Sequence, residues 1–205
     1  MISKRKITDL KLAKIADGLL EVGCVKFGEF ELKSGAKSPI YIDLRRLVAF
    51  PELLKDVAGA YADILNGLDF DMLAALPYAA MPIGTAISLH GNWKMVYPRK
   101  EVKGYGTQVE VEGVFEVDQR AVVIDDLIST GGSKLEGIEK LNAVGLKVED
   151  IVVLIDRQAG GVGFMEEHGY KLHSVFTLPQ LLDYWEEAGA VDAKLMLKAR
   201  AFLAS

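Results

Sequence analysis

The chain has 205 residues, 50% of them hydrophobic and 26% charged, with 24 Lys and Arg against 29 Asp and Glu for a net charge of −5. That length and balance suit one globular domain able to bury roughly 70% of its unfolded surface, and they exclude a chain that is mainly disordered. An acidic balance also argues against a protein that coats DNA or RNA, because neutralising phosphates drives that binding; a small anionic ligand needs only a local cluster of donors. No run of about 18 apolar residues exists, and the basic start lacks the apolar stretch of a secretory leader, so a soluble, cytoplasmic protein without a membrane partner is expected. The single cysteine, Cys24, excludes a disulfide framework and a cysteine-rich zinc module; it reads as a small buried hydrophobe in a reducing compartment.

In chain order, Leu12, Ile15, Ala16, Leu19 and Leu20 recur at helical spacing and predict a helix from Thr8 to Val22, stopped by Gly23. Val25 to Leu32 and Ile40 to Leu44 predict two short strands around a turn from Lys33 to Pro39, a hairpin-like hood. Pro51 suits a first helical turn, and Leu54, Val57, Ala58, Tyr61, Ile64 and Leu65 form an apolar stripe that Gly67 ends. Then come a strand from Met72 to Leu76, a helix from Met81 to Leu89 closed near His90, and a strand from Lys94 to Tyr97. Ala121 to Asp125 reads as a strand, about Ser133 to Ala143 as a helix, and Ile151 to Ile155 as a strand. Val175, a helix around Leu181 to Trp185 and a closing helix from Asp192 to Leu203 complete the cover. The strands are continuously apolar, as parallel strands covered on both faces must be. The expectation is therefore α/β: a central, mostly parallel sheet flanked by helices in a single domain over 1–205, with an N-terminal helix and hood in 1–50 and the α/β core in 51–205.

The stretch from Arg99 to Gly113 is polar and punctuated by Gly104 and Gly106 between two good strands. With Arg99, Lys100 and Lys103 it reads as a mobile lid that grips an anion; a solvated β-hairpin is the plainer alternative, since Val109 to Val111 can alternate.

The most informative run is Val122 to Ser133, which carries Asp125-Asp126-Leu127-Ile128-Ser129-Thr130-Gly131-Gly132-Ser133. A buried strand delivers two carboxylates to the sheet edge where α/β proteins bind ligands, and a hydroxyl- and glycine-rich turn then opens a helix. The helix's first amides lack intrahelical partners and carry the positive end of its dipole, so a phosphate fits there. Ionised Asp125 and Asp126 only accept hydrogen bonds, which suits ribose hydroxyls, hydrated Mg2+ or positive charge developing on a sugar. Helix capping alone would explain an isolated acidic pair, but the strand, pair, turn and helix together ask for a phosphorylated sugar. Neither G-x-G-x-x-G nor G-x-x-x-x-G-K-[ST] is present, which removes the best support for dinucleotide or P-loop binding.

This run resembles the phosphoribosyl pyrophosphate (PRPP) binding motif of the type I phosphoribosyltransferases. The chain is similar to their orotate branch in Phe30-Glu31-Leu32-Lys33-Ser34-Gly35 with Ser38-Pro39, in Arg99-Lys100-Glu101 with Lys103 and Gly106, and in Asp156-Arg157-Gln158, in the family's order over nearly the whole chain. The resemblance implies the family's fold, with a small hood and a mobile lid, and transfer of ribose 5-phosphate from PRPP to orotate, giving orotidine 5′-monophosphate and pyrophosphate with Mg2+ in pyrimidine synthesis. It implies PRPP binding by Lys33, Tyr78, Arg99, Lys100, Lys103, Tyr105, Asp125, Asp126, Leu127, Ile128, Ser129, Thr130, Gly131, Gly132 and Ser133. Lys103, Asp125 and Asp126 would be the catalytic residues, and Tyr41, Ile42, Ser129 and Arg157 would hold orotate. No direct metal ligand is implied: Mg2+ would be carried by PRPP and water, with Asp125 and Asp126 at its side. A homodimer whose lid reaches into the neighbouring subunit's site is also implied.

Ala79, in Pro77-Tyr78-Ala79-Ala80, stands where many bacterial members have lysine, Tyr105 where many have histidine, and Ser129 where threonine is common. The first two look like the phosphoribosyltransferase half of the uridine monophosphate synthases. Taken alone, Arg157 would be a surface ion-pair residue and Lys33 a solvated turn lysine. His168 and His173 do not share a helical face, so no metal site is expected of them. A phosphoribosyltransferase for another nucleobase and a PRPP-sensing regulator on the same fold are the alternatives. Orotate-dependent release of pyrophosphate would exclude the first, and the acidic charge without a helix-turn-helix segment speaks against the second.

Overall fold

The computed structural model describes residues 6–31, 35, 37–100 and 110–203. Lys33, Lys103, Tyr105 and most of the expected lid lie outside the described residues. Helix α1 (Leu10–Glu21) starts later than its apolar stripe suggests, because the Asp9 carboxylate accepts the Lys11 amide at 2.7 Å and caps it; Gly23 follows its end at φ +70°. Strands β1 (Val25–Glu31) and β2 (Lys37–Ile42) pair antiparallel as a separate two-stranded sheet, the hood. The second strand starts at Lys37 rather than Ile40 because Glu31 pairs with Lys37, and it ends at Ile42 because Asp43 turns the chain into a 3-10 helix over Leu44–Ala49.

The core follows as α2 (Pro51–Leu65), β3 (Met72–Ala75), α3 (Ala80–Gly91), β4 (Met95–Pro98), β5 (Val111–Glu112), β6 (Arg120–Ile128), α4 (Gly132–Ala143), β7 (Lys147–Asp156), α5 (Gly161–Glu167), β8 (Lys171–Thr177), α6 (Leu178–Glu187) and α7 (Ala193–Leu203). The sheet has six strands in the order β5-β4-β3-β6-β7-β8, parallel except for the antiparallel β4–β5 pair. Helix α5 escaped the periodicity because Gly161 and Gly163 sit in a helix of seven residues. The flanks of the expected lid pair antiparallel, Tyr97 with Glu112 and Pro98 with Val111, and the Arg99 amide donates to the Glu110 carbonyl at 2.8 Å; residues 101–109, which decide between lid and hairpin, lie outside the described residues.

Alternation along the central strands explains their unbroken apolar character. Leu73, Val122, Ile124, Val152 and Leu154 join one buried cluster with residues of α1, α2, α3, α6 and α7, such as Ile15, Tyr61 and Trp185. Met72, Ala74, Ala121, Val123, Ile151 and Val153 join the other, with Ile138 and Leu141 of α4 and Met165 of α5. Both faces are dry, so neither set of alternate positions can be polar. Helix α1 belongs to the first of these layers, leaving only the hairpin as hood; Cys24 is fully buried in the same cluster, and its thiol is pushed up to about 11 by burial. Among the described residues no helix is long and apolar enough to cross a membrane.

Candidate active site

The site arises where β6 outlasts β3. The last β3 pairing is Ala75 with Ile124, followed by the Leu76 amide on the Ile124 carbonyl at 3.0 Å. On its other side β6 keeps pairing with β7, Asp125 opposite Val153, Leu127 opposite Ile155 and Ile128 opposite Asp156. The strand expected to stop at Asp125 therefore runs on to Ile128, and Asp125 and Asp126 stand where one neighbour has left and the sheet opens.

Both carboxylates are held locally. Asp125, 8% exposed, accepts the Asp126 amide on Oδ1 at 2.9 Å and the Lys134 ammonium on Oδ2, while its carbonyl oxygen accepts the Tyr61 hydroxyl at 2.7 Å. Asp126 accepts the Leu127 amide on Oδ1 at 2.8 Å. Burial first, then the charge of Asp125, push the Asp126 carboxyl up to about 7, against the opposing pull of Lys134 and the Leu127 amide.

Two clefts flank the pair. The first, about 260 Å³, is lined by Leu76, Pro77, Pro98, Arg99, Lys100, Asp125, Ser133, Glu136, Gly137 and Lys140. The second, about 510 Å³, lies under the hood: Ile40, Tyr41, Ile42, Asp43, Leu44 and Arg45 face Asp126, Leu127, Lys134 and Arg157 across it. Of the expected cations, Arg99 is half-buried and donates from Nε to Glu112 at 2.6 Å, and Lys100 holds its ammonium 5.1 Å from the ring centre of the exposed Tyr78. Lys140 donates to the carbonyl oxygens of Arg99 (2.7 Å) and Lys100 (3.1 Å), tying α4 to the end of β4.

The turn into α4 divides the expected phosphate cradle. Thr130, Gly132 and Ser133 are exposed and Ser129 is half-buried, whereas the Ile128 side chain is fully buried in the second cluster. Gly131 has φ +95°, and a Cβ there would lie 2.7 Å from Met165 Cε; a Cβ at Gly132 would meet nothing within 4 Å. Gly131 is thus required by its backbone conformation and by α5, whereas Gly132 faces open space. Arg157 donates from Nη1 to Ser129 Oγ at 3.3 Å, and its buried Nε has no partner among the described residues. Tyr41, near the same cleft, stacks on Phe30 with ring centres 5.4 Å apart.

Sequence reasoning missed Lys134, Lys140, Tyr61 and Glu112. Of these, only Lys134 carried a signal: a lysine in the first turn of a helix opposes the helix dipole and asks for a nearby anion. His168 binds the Phe164 carbonyl at 2.8 Å and His173 the Asp150 carboxylate at 2.7 Å, and among the described residues no group of three or more His, Cys, Asp or Glu is placed to hold a metal ion.

No family model matches the chain. It is 38% identical over 183 residues to the bifunctional enzyme PyrF/PyrE of Nostoc sp., covering 89% of this chain and 38% of that protein. It is 37% identical over 166 residues to the orotate phosphoribosyltransferase of Chlamydia caviae, covering 80% of this chain and 81% of that protein. Among solved structures it is similar to the UMP synthase of Leishmania donovani, with a TM-score of 0.87 and 45% identity over 94% of this chain and 42% of that one. The chain spans about two fifths of the length of the longer relatives it matches.

Proposed function

The chain belongs to the orotate phosphoribosyltransferase family, and from that premise we propose that it transfers ribose 5-phosphate from PRPP to orotate, forming orotidine 5′-monophosphate and pyrophosphate in pyrimidine synthesis. The observation that carries this reading is the second cleft, where the Arg157 guanidinium, its buried Nε without a partner among the described residues, stands across from the hood and beside Asp126. A planar anion such as orotate suits the guanidinium of Arg157 at this cleft, since a carboxylate matches its fork.

In this reading the bond from C1′ to the pyrophosphate oxygen breaks as the bond from C1′ to the orotate nitrogen forms, and the electron pair leaves with pyrophosphate. Positive charge then develops on the sugar, and Asp126 lies at the second cleft to favour it. The exposed amides and hydroxyls of Thr130, Gly132 and Ser133 receive the 5-phosphate at the start of α4. Lys100 and Arg99 line the first cleft on the pyrophosphate side, with Lys103 as the expected lid cation. Asp125 is paired with Lys134, so Mg2+ would come as a companion of PRPP, carried by its oxygens and by water, with the acidic pair at its side. When bound, that ion neutralises charge on the departing pyrophosphate. A homodimer sharing its lids and a cytoplasmic setting complete the proposal.

The test is a spectrophotometric assay with PRPP and orotate, uracil or hypoxanthine in parallel. Consumption of orotate alone is expected; turnover of another base in its place would overturn the assignment. Mixed dimers of Lys103→Ala and Asp125→Asn subunits should regain partial activity if lids are shared, and no regain would mean self-contained sites.

A further inference from the structure

We propose that Lys134 is a positioning residue for the reaction: its ammonium fixes the Asp125 carboxylate at the sheet edge, and with it the acidic pair that faces the sugar. This rests on the reading of the acidic pair as the sugar site.

Lys134 is 7% exposed and pairs with Asp125 Oδ2. Burying an ammonium is costly unless it is paired, and a buried ion pair is seldom better for stability than apolar side chains of the same size. Its place adds a second cost, because it lies in the first turn of α4, where the helix dipole disfavours a cation. Two unfavourable terms at one position ask for a role other than stability.

The connections of Lys134 supply one. Its amide donates to the Gly131 carbonyl at 2.9 Å, so its backbone belongs to the phosphate turn. Its side chain lines the second cleft with Asp126 and Arg157, and its ammonium ends on Asp125. One residue thereby links the turn, the acidic pair and the cleft. With Oδ1 on the Asp126 amide and Oδ2 on Lys134, Asp125 is engaged at both oxygens. Among the described residues no cation pairs with Asp126. Asp125 is thus held in one orientation at the edge of the first cleft.

Charge points the same way. PRPP is strongly anionic, and two uncompensated carboxylates would repel it. The ammonium offsets carboxylate charge at the acidic pair, so less negative charge opposes PRPP. The predicted gain is therefore larger for PRPP, which carries more negative charge than orotate.

The experiment compares wild type, Lys134→Met and Lys134→Arg for PRPP affinity by calorimetry, for kcat and both KM values, and for thermal melting. Lys134→Met should lower kcat/KM for PRPP by about thirtyfold or more while the KM for orotate moves less than about threefold, and Lys134→Arg should recover most of the loss. A lower melting temperature with unchanged kcat and unchanged PRPP affinity would reduce Lys134 to a structural residue and overturn the proposal. If Lys134→Met does not fold, Asp125→Asn is compared with Asp125→Asn/Lys134→Met, which leaves no unpaired buried carboxylate. PRPP affinities within about threefold of each other support action through Asp125, and a larger further loss refutes it. A wild type that binds PRPP but ignores orotate overturns the base assignment alone, and the affinities still decide the role of Lys134. A wild type without PRPP affinity overturns both.

Discussion

The hydroxyl of Tyr61 on α2 donates to the backbone carbonyl of Asp125 on β6 at 2.7 Å, with the tyrosine fully buried. One hydrogen bond from the helical layer thus braces the strand where β3 has ended. Tyr61→Phe leaves that carbonyl without its donor and should lower stability by about 1–3 kcal/mol. Burial raises the phenol well above its ordinary range, so the effect should be the same from about pH 6 to 9. Urea midpoints at constant slope measure it, and unchanged midpoints would mean that the bond does not brace the strand.

The raised carboxyl of Asp126 predicts a pH-dependent stability. Its folded value, about 7, lies above an unfolded value near 4, so the fold favours the protonated form. That contribution is fully present below about pH 4 and is lost as pH rises through about 7. The urea midpoint of the wild type should fall between about pH 4 and 8, and Asp126→Asn should flatten the decline. Parallel profiles for the two proteins would contradict it.

Gly131 and Gly132 should respond oppositely to alanine. Gly131→Ala forces a side chain to φ +95° and into Met165, so stability should drop by at least about 1 kcal/mol. Gly132→Ala projects into open space and should melt normally while binding PRPP more weakly, because a methyl group would stand where the phosphate approaches. Melting curves and PRPP titrations of both variants separate the two roles; normal PRPP affinity in Gly132→Ala would remove that amide from the cradle.

Arg157→Ala should raise the KM for orotate by roughly tenfold to a hundredfold, the worth of one charge-assisted hydrogen bond, and leave the KM for PRPP nearly unchanged. Arg157→Lys should recover little, since an ammonium cannot reproduce the planar fork. Equal rises in both constants would show that Arg157 holds the fold instead of the base.

Lys140 anchors the carbonyls of Arg99 and Lys100 from a half-buried position on α4. Lys140→Met should therefore cost about fivefold to thirtyfold in kcat/KM for PRPP with little change in melting, each lost bond being worth about 1 kcal/mol. Wild-type kinetics would show that β4 holds these cations in place without help.

The alternation of strand and helix, the acidic pair and the turn after it were readable from the chain because each rests on short-range information. Apolar runs such as Ile151 to Ile155 report burial on both faces, and Asp125 through Ser133 place acceptors and donors within nine consecutive positions. Other features depend on partners far along the chain. Strand β6 reaches Ile128 because β7 stays beside it, the small size of Gly131 answers to Met165, and Arg157 meets Ser129 from 28 residues away. The hood closes over Asp126 only after the sheet has brought residues 40–45 opposite it. Periodicity and turn chemistry act over a few residues, so they could name the elements and the acidic, glycine-rich edge. Which carboxylate is clamped, which glycine is spare and which arginine atom lacks a partner are set by distances in space, and these exist only once the layers have packed.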